Sequence, residues 1–497
     1  MKEVISVSNM RRSDEYTIKS GTPSRELMYR AALGIYNSIP FEKFSFPDIL
    51  IVCGTGNNAG DGYALALILK ENGYRVRLLL AEERFSADGE YYFNKCKSEG
   101  IDYSVYERDT DFRADIIVDC VFGTGFKGAA KDPYKDVIEK INISKAYVIS
   151  ADINSGLNGD CGLGESVVKS DLTVSIGSYK SGHFLNMAKD KIGELTNVDI
   201  GILPVETPFY LYENEDAKGA LPKRENFSHK GTYGYIALIG GSYEYSGAIK
   251  LAGIASSAVR SGAGVVKIAT PKRIADAVLP YVLESTLFPL SDRNGRIKFK
   301  KNEIEKCLNG VKAVGIGMGL NQGKDNEKLI KFVLENYSLP VLLDADALNT
   351  LSNMDEGILK STKCKIVLTP HLKEFERLSK KSINEIQINP VECARDYARK
   401  NGVTLLLKGT STIVTDGENV RIITSGCGGM ATAGSGDVLS GIITSFLGQN
   451  PDNVYEMVCL GAFVNGKAGE IAQKKMGEIS MSSHDTALSV AEAIKSI

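Results

Sequence analysis

The chain has 497 residues, 43% of them apolar and 24% charged, with a formal net charge of −2. That length exceeds one ordinary core and predicts two domains, while the near-neutral balance excludes a polycation built for nucleic acid or an acidic membrane surface. Nine scattered cysteines, with no CxxC pair and no Cys/His cluster, argue against a disulfide framework or zinc site and for a reducing compartment.

The opening residues MKEVISVSNMRRSDE lack an apolar leader, and no run approaches the length of a membrane span, so a cytoplasmic protein is expected. In chain order, an amphipathic helix is predicted around 24–37, followed by strands at 48–53, 75–81, 115–119, 146–151 and 171–176. Residues 203–234 turn polar and are broken by Pro204, Pro208 and Pro222, which sets a boundary near 215–220 and domains of 1–217 and 218–497. Beyond it, strands are predicted at 235–240, 264–269, 312–316, 340–344, 365–369, 403–407 and 411–415, with helices at 246–262, 325–337, 388–401, 434–447 and 453–475. Short β-branched runs alternating with helical patterns predict an α/β fold with parallel sheets and crossover helices in both halves.

Three predicted strand ends in the first half carry chemistry. Asn57, Asn58, Ala59, Gly60 and Asp61 follow the first strand; Asp119 precedes Gly123, Thr124, Gly125, Phe126, Lys127, Gly128 and Ala129; Asp152 precedes Ser155 and Gly156. Carboxyl ends of parallel strands share one ligand crevice, and two glycine loops there could wrap phosphates. Asn58, Asp119 and Ser155 offer oxygen to a hard cation. Asp152 is the proton-transfer candidate, with a pKa expected to rise in a closed pocket. The plainer alternatives are that Asp61 caps a helix, Asp119 is a turn residue and His183 is a satisfied structural histidine. GTGNNAGDG is not the GxGxxG spacing of a dinucleotide fingerprint, which disfavours a standard hydride-transfer enzyme.

In the second half, residues 426–441 read GCGGMATAGSGDVLSG. A tight glycine turn opens a helix there, with bare N–H groups at a positive dipole end and Asp437 beside them. Lys408, Gly409, Thr410, Ser411 and Thr412 could offer a cation and hydroxyls to nucleotide phosphates, with Asp437 as base for phosphoryl transfer and Mg²⁺ screening charge. Ala248, Gly319, Asp344, Asp346 and His371 stand at other predicted strand ends or helix starts. For Asp344 and Asp346 a helix-capping turn, and for His371 a turn cap, are the competing readings.

CGTGNNAGDG, DCVFGTGFKG, DINSG, SHKGTYG, DADALN, LTPH and GSGDVLSG occur in one order along the chain. In that order they resemble the bifunctional NAD(P)H-hydrate repair enzymes over nearly the full length. The resemblance implies a Rossmann-like three-layer epimerase domain and a ribokinase-like ADP/ATP-dependent dehydratase domain. It implies that Asn57–Asp61 and Gly123–Ala129 bind hydrated NADH or NADPH, that Asn58, Asp119 and Ser155 hold K⁺, and that Asp152 is the acid/base residue. In the second domain Ala248, Gly319, His371 and Asp437 would line the hydrate site, and Lys408–Thr412 with Gly436 would bind ADP or ATP. A homo-oligomer is expected, with no nucleic-acid or membrane partner.

Several positions depart from the family's pattern. Ala59 replaces a usual glycine, Asn154 a proline and Tyr29 a common glutamate; Leu372-Lys373 replace Pro-Gly, and Thr432-Ala433 replace Lys-Gly. Ala59 puts affinity rather than chemistry in question, and the missing lysine near 432 predicts weaker phosphate binding. Two rivals remain open on the sequence: a ribokinase-type small-molecule kinase fused to a binding domain, and a non-catalytic scaffold in the first half.

Overall fold

The computed structural model describes residues 2–206, 209–256, 260–355 and 357–497. It divides into two compact units, Lys2–Phe209 and Tyr210–Ile497. The break falls ahead of the 217/218 boundary read from the sequence, because Tyr212 and Ala217 are buried in the C-terminal core. Pro208 lies outside the described residues, as do positions 257–259 of the helix expected at 246–262.

The N-terminal unit is built on seven parallel strands. Their spatial order is Asp102–Val105, Arg75–Leu80, Asp48–Cys53, Ile116–Cys120, Tyr147–Ala151, Ser170–Ile176 and Ile192–Val198. Asp48–Cys53 explains the layering. Ile49, Ile51 and Cys53 join one buried cluster with the helices Ser24–Ser38 and Asn57–Glu71, while Leu50 and Val52 join another with Val137, Ile138 and Ile141 of the helix Tyr134–Ile143. Successive side chains point to opposite faces, so a strand covered on both sides reads as an unbroken apolar run.

The order reverses between Asp48–Cys53 and Ile116–Cys120. The chain steps outward from Asp48–Cys53 in one direction, then returns to build on its other side. Loops leave that point in opposite directions and open a crevice at the strands' carboxyl ends.

In the C-terminal unit the strand order is Thr286–Leu290, Val265–Pro271, Tyr235–Ile239, Ala313–Ile316, Pro340–Leu343, Lys365–Leu368, Thr404–Leu407, Thr412–Thr415, Val420–Ile423 and Phe209–Leu211. The first seven pair in parallel, and Thr404–Leu407, Thr412–Thr415 and Val420–Ile423 form an antiparallel meander. The parallel expectation fails there because Lys408-Gly409-Thr410-Ser411 is too short for a crossover, which needs about a dozen residues. One face is covered by Ser246–Ser256, Ser435–Gln449, Val454–Met476 and Ser483–Lys495, whose apolar residues form a single cluster with Leu342, Val367 and Leu406. Their strand neighbours Leu343, Leu368 and Leu405 are equally buried, so the other face is covered too.

Among the described residues, no helix is long and apolar enough to cross a membrane.

Candidate active sites

A cavity of about 540 Å³ lies at the switch point of the N-terminal sheet, lined by Thr55–Asn58, Asp61, Val121–Phe126, Asp152 and Lys180, with Met10, Arg11 and Asp14 from the helix Val7–Lys19. The sequence-derived residues Asn57, Asn58, Asp61, Gly123, Thr124, Gly125, Phe126 and Asp152 therefore converge. Lys127, Gly128 and Ala129 do not line it. Ala59 and Gly60 turn away: Ala59 is 1% exposed inside the core, and Gly60 packs on Met28.

Asp152 follows the strand Tyr147–Ala151 with φ +63°, a conformation costly for a non-glycine residue. Its neighbours hold it there. Its N–H donates to Val174 O at 2.8 Å, and His183 Nε2 lies 2.8 Å from its carbonyl. Because His183 Nδ1 accepts the Lys180 N–H, the imidazole carries its proton on Nε2 and donates it to Asp152. Burial, with Lys180 adding to it, lowers the His183 pKa to about 4. His183 is the satisfied structural histidine expected, and its partner is the backbone of the proposed catalytic residue.

The carboxyl of Asp152 corrects the sequence expectation. Burial pushes its pKa up, but the Lys180 ammonium 2.5 Å from Oδ1 outweighs that and the net shift is downward. The raised carboxyls are its neighbours. Burial, reinforced by Asp152 and Asp14, holds Asp61 well above the carboxylate range, and burial lifts Asp14 to about 6 against the pull of Lys180. Asp61 is the fifth residue of Asn57–Glu71, whose N-terminus has no side-chain cap, so the capping alternative falls. Asp14 and Lys180 escaped sequence reasoning; Asp14 sits on a polar helix far upstream, and Lys180 is one lysine among many.

Beneath the loops, Asp119 is fully buried and accepts from Val121 N, Ser150 Oγ, Ser155 N and Ser155 Oγ. Those donors occupy all four of its in-plane acceptor positions. Burial nevertheless raises its pKa. Asn58 donates to Phe122 O, leaving its buried Oδ1 with no partner. An orphaned amide oxygen beside a buried carboxylate fits a hard monovalent cation held by oxygen ligands. Among the described residues, no group of three or more His, Cys, Asp or Glu is placed to hold a metal.

Asn154, the departure from proline, is completely buried. Its amide nitrogen reaches Val168 O, Ser170 Oγ and Lys191 O, and its oxygen accepts from Thr173 Oγ1 at 2.6 Å.

In the C-terminal unit, Lys408 is the hub. Its Nζ lies 2.9 Å from Asp344 Oδ1 and 4.0 Å from Glu374 Oε2, and Ser440 Oγ donates to Asp344 Oδ2. A parallel bridge between His371 and Lys408 ties two loops together. Gly434 takes φ +94° at the start of Ser435–Gln449, and a Cβ on Gly436 would come within 3.4 Å of Lys408 Nζ, so the turn, the lysine and Asp437 meet. Burial, with Asp344 adding to it, raises Asp437 to about 7; burial also raises Glu374 to about 7, against Lys408. Burial opposes the charge on Lys408, yet Asp344 and Glu374 raise its pKa.

His371 caps the helix Leu372–Ser379: Nδ1 accepts from Lys373 N and Glu374 N, and burial followed by Lys408 lowers its pKa. The turn-cap reading therefore holds, while Nε2 stays on a half-exposed ring. Asp344 caps nothing; Asp346 opens Asp346–Leu351 and accepts from Asn321 N at 2.6 Å. Gly319 and Ala248 are neighbours, since a Cβ on Gly319 would lie 2.9 Å from that of Ala248. Thr432 and Ala433 are exposed.

Residues 236–491 match the family described as NAD(P)H-hydrate dehydratase, and residues 24–182 match YjeF-related protein N-terminus. The chain is similar to the bifunctional NAD(P)H-hydrate repair enzyme Nnr of Coxiella burnetii, at 32% identity over 94% of both chains. It is similar to the protein of the same name from Moorella thermoacetica at 34% identity, over 95% of this chain and 92% of that one. A solved structure, the ADP/ATP-dependent NAD(P)H-hydrate dehydratase of Bacillus subtilis co-crystallized with ATP/Mg²⁺, is 26% identical with a TM-score of 0.50, covering 58% of this chain and 98% of that one. Such likeness along both halves, on a Rossmann-like unit followed by a ribokinase-like one, is not that of a kinase fused to an unrelated module. The chain belongs to the bifunctional NAD(P)H-hydrate repair enzymes.

Proposed function

We propose that the N-terminal unit interconverts the R and S forms of NADH or NADPH hydrate through Asp152, and that the C-terminal unit dehydrates the S form through Asp437 with ADP or ATP. The observation that carries the assignment is the convergence in each unit of glycine-loop backbone, one lysine and a carboxylate whose proton affinity burial raises. In the N-terminal unit Asp61, raised, and Asp152, lowered, divide into acid and base at neutral pH.

In the epimerase cavity the hydrate's C6 carries a hydroxyl next to the ring nitrogen. Asp61, held protonated, donates to that hydroxyl, which leaves as water while the nitrogen lone pair closes onto C6. Asp152, held ionised by Lys180, takes a proton from the water that adds to the opposite face. The step leaves Asp152 protonated and Asp61 ionised, and a proton returned from Asp152 to Asp61 through solvent resets the pair, so none is consumed. Potassium, when bound, supplies a fixed positive charge beneath the loops. Asn58 Oδ1 would offer the free acceptor for it, and Asp119 and Ser155 would be the other oxygen donors.

In the dehydratase site Asp437 accepts the C6 hydroxyl proton as that oxygen takes the terminal phosphoryl group. Phosphate then departs with its C–O electron pair, a C5 proton is lost, and the ring double bond returns. Phosphate leaves far more readily than hydroxide, which is why a dehydration consumes a nucleotide. Lys408, Gly409–Thr412 and Gly436 hold the nucleotide phosphates, Lys408 supplying the buried charge that position 432 lacks; Ala248, Gly319 and His371 border the hydrate. Mg²⁺, when bound with the nucleotide, screens phosphate charge.

The nine cysteines are unpaired, which supports a cytoplasmic, reducing location, and a homo-oligomer is part of the same proposal. Absorbance at 340 nm on mixed R and S NADH hydrate, with ADP or ATP, Mg²⁺ and K⁺, tests the scheme. Full nucleotide-dependent recovery, faster than spontaneous epimerisation, is expected. Recovery of the S fraction alone would remove the epimerase, and a phosphorylated product that accumulates would restore the kinase.

A further inference from the structure

Two cationic side chains line the N-terminal cavity, Lys180 and Arg11. Lys180 is buried and committed to Asp152 and to Ile176 O. Arg11 is exposed, and among the described residues its guanidinium makes no ion pair or hydrogen bond with the protein. It stands one turn before Asp14 on the helix Val7–Lys19. A Cβ on Gly125 would lie 3.1 Å from Arg11 Nη2, so the guanidinium rests against the glycine turn that Phe126 N closes onto Gly123 O. The next residue, Arg12, pairs with Glu206 and does not line the cavity.

The scheme above leaves one charge unmet. Either hydrate brings a doubly anionic pyrophosphate into a cavity already lined by Asp14, Asp61, Asp88 and Asp152. The helix Asn57–Glu71 opens on that cavity without a side-chain cap, and its first amides, with those of the glycine turn, supply partial charge only. Lys180 is already neutralised by Asp152. The full positive charge left over is that of Arg11, whose planar fork suits two phosphate oxygens at once.

We propose that Arg11 clamps the pyrophosphate of the hydrate against the glycine turn and thereby sets the epimerase unit's affinity for its substrate. The inference rests on the epimerase reading of this cavity and adds the side chain that meets the substrate's charge. The pyrophosphate, and not the 2′-phosphate of NADPH hydrate, is the group within reach. Thr124, the residue before Gly125, donates its N–H to Asp152 Oδ2 at 3.4 Å, so the guanidinium lies one residue along the loop from the proton-transfer carboxylate. The pyrophosphate joins the nicotinamide ribose in both cofactors, whereas the 2′-phosphate hangs from the far ribose.

Epimerisation of three R hydrates by the full chain tests it, with the R and S forms separated by chromatography: NADH hydrate, NADPH hydrate and the hydrate of reduced nicotinamide riboside, which has no phosphate. Arg11→Ala should raise KM about tenfold or more for both dinucleotides, the worth of a charge-assisted hydrogen bond, and leave kcat within about twofold. Its kcat/KM on the riboside hydrate should match the native value. Arg11→Lys, which keeps the charge and loses the fork, should recover part of the loss, and Arg12→Ala should behave as native. A loss on NADPH hydrate alone, or an equal loss on the riboside hydrate, would overturn the proposal. Calorimetry with ADP-ribose, which carries the pyrophosphate and no nicotinamide, separates this contact from the chemistry. A native protein that epimerises none of the three would remove the epimerase reading. Weaker ADP-ribose binding in Arg11→Ala than in Arg12→Ala would still support the clamp, and equal binding would remove it.

Discussion

Lys180 and Asp152 form a buried ion pair, Nζ to Oδ1 2.5 Å, in which the lysine is 1% exposed and also donates to Ile176 O. The pair keeps a carboxylate ionised inside a cavity where burial holds Asp61 protonated and lifts Asp14 to about 6. It is the arrangement on which the epimerase proposal turns.

Replacing the cation with a neutral side chain of similar length, Lys180→Met, should release Asp152 to its burial, so that its pKa rises. Epimerase activity should fall by about 10²-fold or more, as for loss of a positioned acid–base group. The dehydratase rate on purified S hydrate should stay within about twofold. Because the folded pKa of Asp152 is lowered, its stabilisation is present above its unfolded value of about 3.9 and is lost as pH falls through the folded value. The variant should therefore lose thermal stability at pH 7 and converge with the native protein at low pH.

The dehydratase should show an ascending limb in kcat/KM with a midpoint near pH 7, where Asp437 ionises. Asp437→Asn should abolish the activity, and Glu374→Gln, although Glu374 titrates in the same range, should leave the limb in place. The raised pKa of Asp437 favours the folded state below its unfolded value and penalises it as pH rises through 7. Asp437→Asn should consequently raise the melting temperature at pH 8 and leave it unchanged at pH 4.

Potassium removal discriminates between the two units. Transfer from K⁺ to a bulky organic cation should lower epimerase activity and spare the dehydratase. Asn58→Ala, which deletes the orphaned Oδ1, should abolish the potassium response; a persisting response would move the cation elsewhere.

Ala59→Gly restores the residue usual in the family, yet the Ala59 side chain lies in the core and not in the cavity. The variant should leave the KM for the hydrate unchanged and cost about 1 kcal/mol in stability, the ordinary penalty of glycine inside a helix.

Asn154→Ala should be far more damaging. It removes the donor to Ser170 Oγ and to the carbonyls of Val168 and Lys191 and the acceptor for Thr173 Oγ1, leaving Ser170 and Thr173 only their bond to each other. A loss of about 2–4 kcal/mol is expected in urea unfolding of the N-terminal unit.

The β-branched runs and glycine turns carried most of the architecture. Asp48–Cys53 lies where DILIVC places it, and GSGD opens a helix with Asp437 beside the turn. Edge strands such as Asp102–Val105 and Thr286–Leu290 stayed hidden: the first is exposed throughout, and the second contains a proline. Sequence order also grouped residues that the fold separates, since adjacent helical positions point in different directions. Asp61 faces the cavity and Ala59 the core.

By itself, then, the sequence determined the two-unit α/β plan, the loops that meet at each sheet's carboxyl edge, and the positions of Asp152 and Asp437 beside those loops, because local periodicity and turn chemistry are written in neighbouring residues. Tertiary structure decided the protonation pattern and the partners. Lys180 is 28 residues from Asp152, Asp14 is on a separate helix, and Lys408 meets Asp344 across 64 residues. A pKa depends on burial and on charges within a few ångströms, and no local pattern records which distant side chains will stand that close.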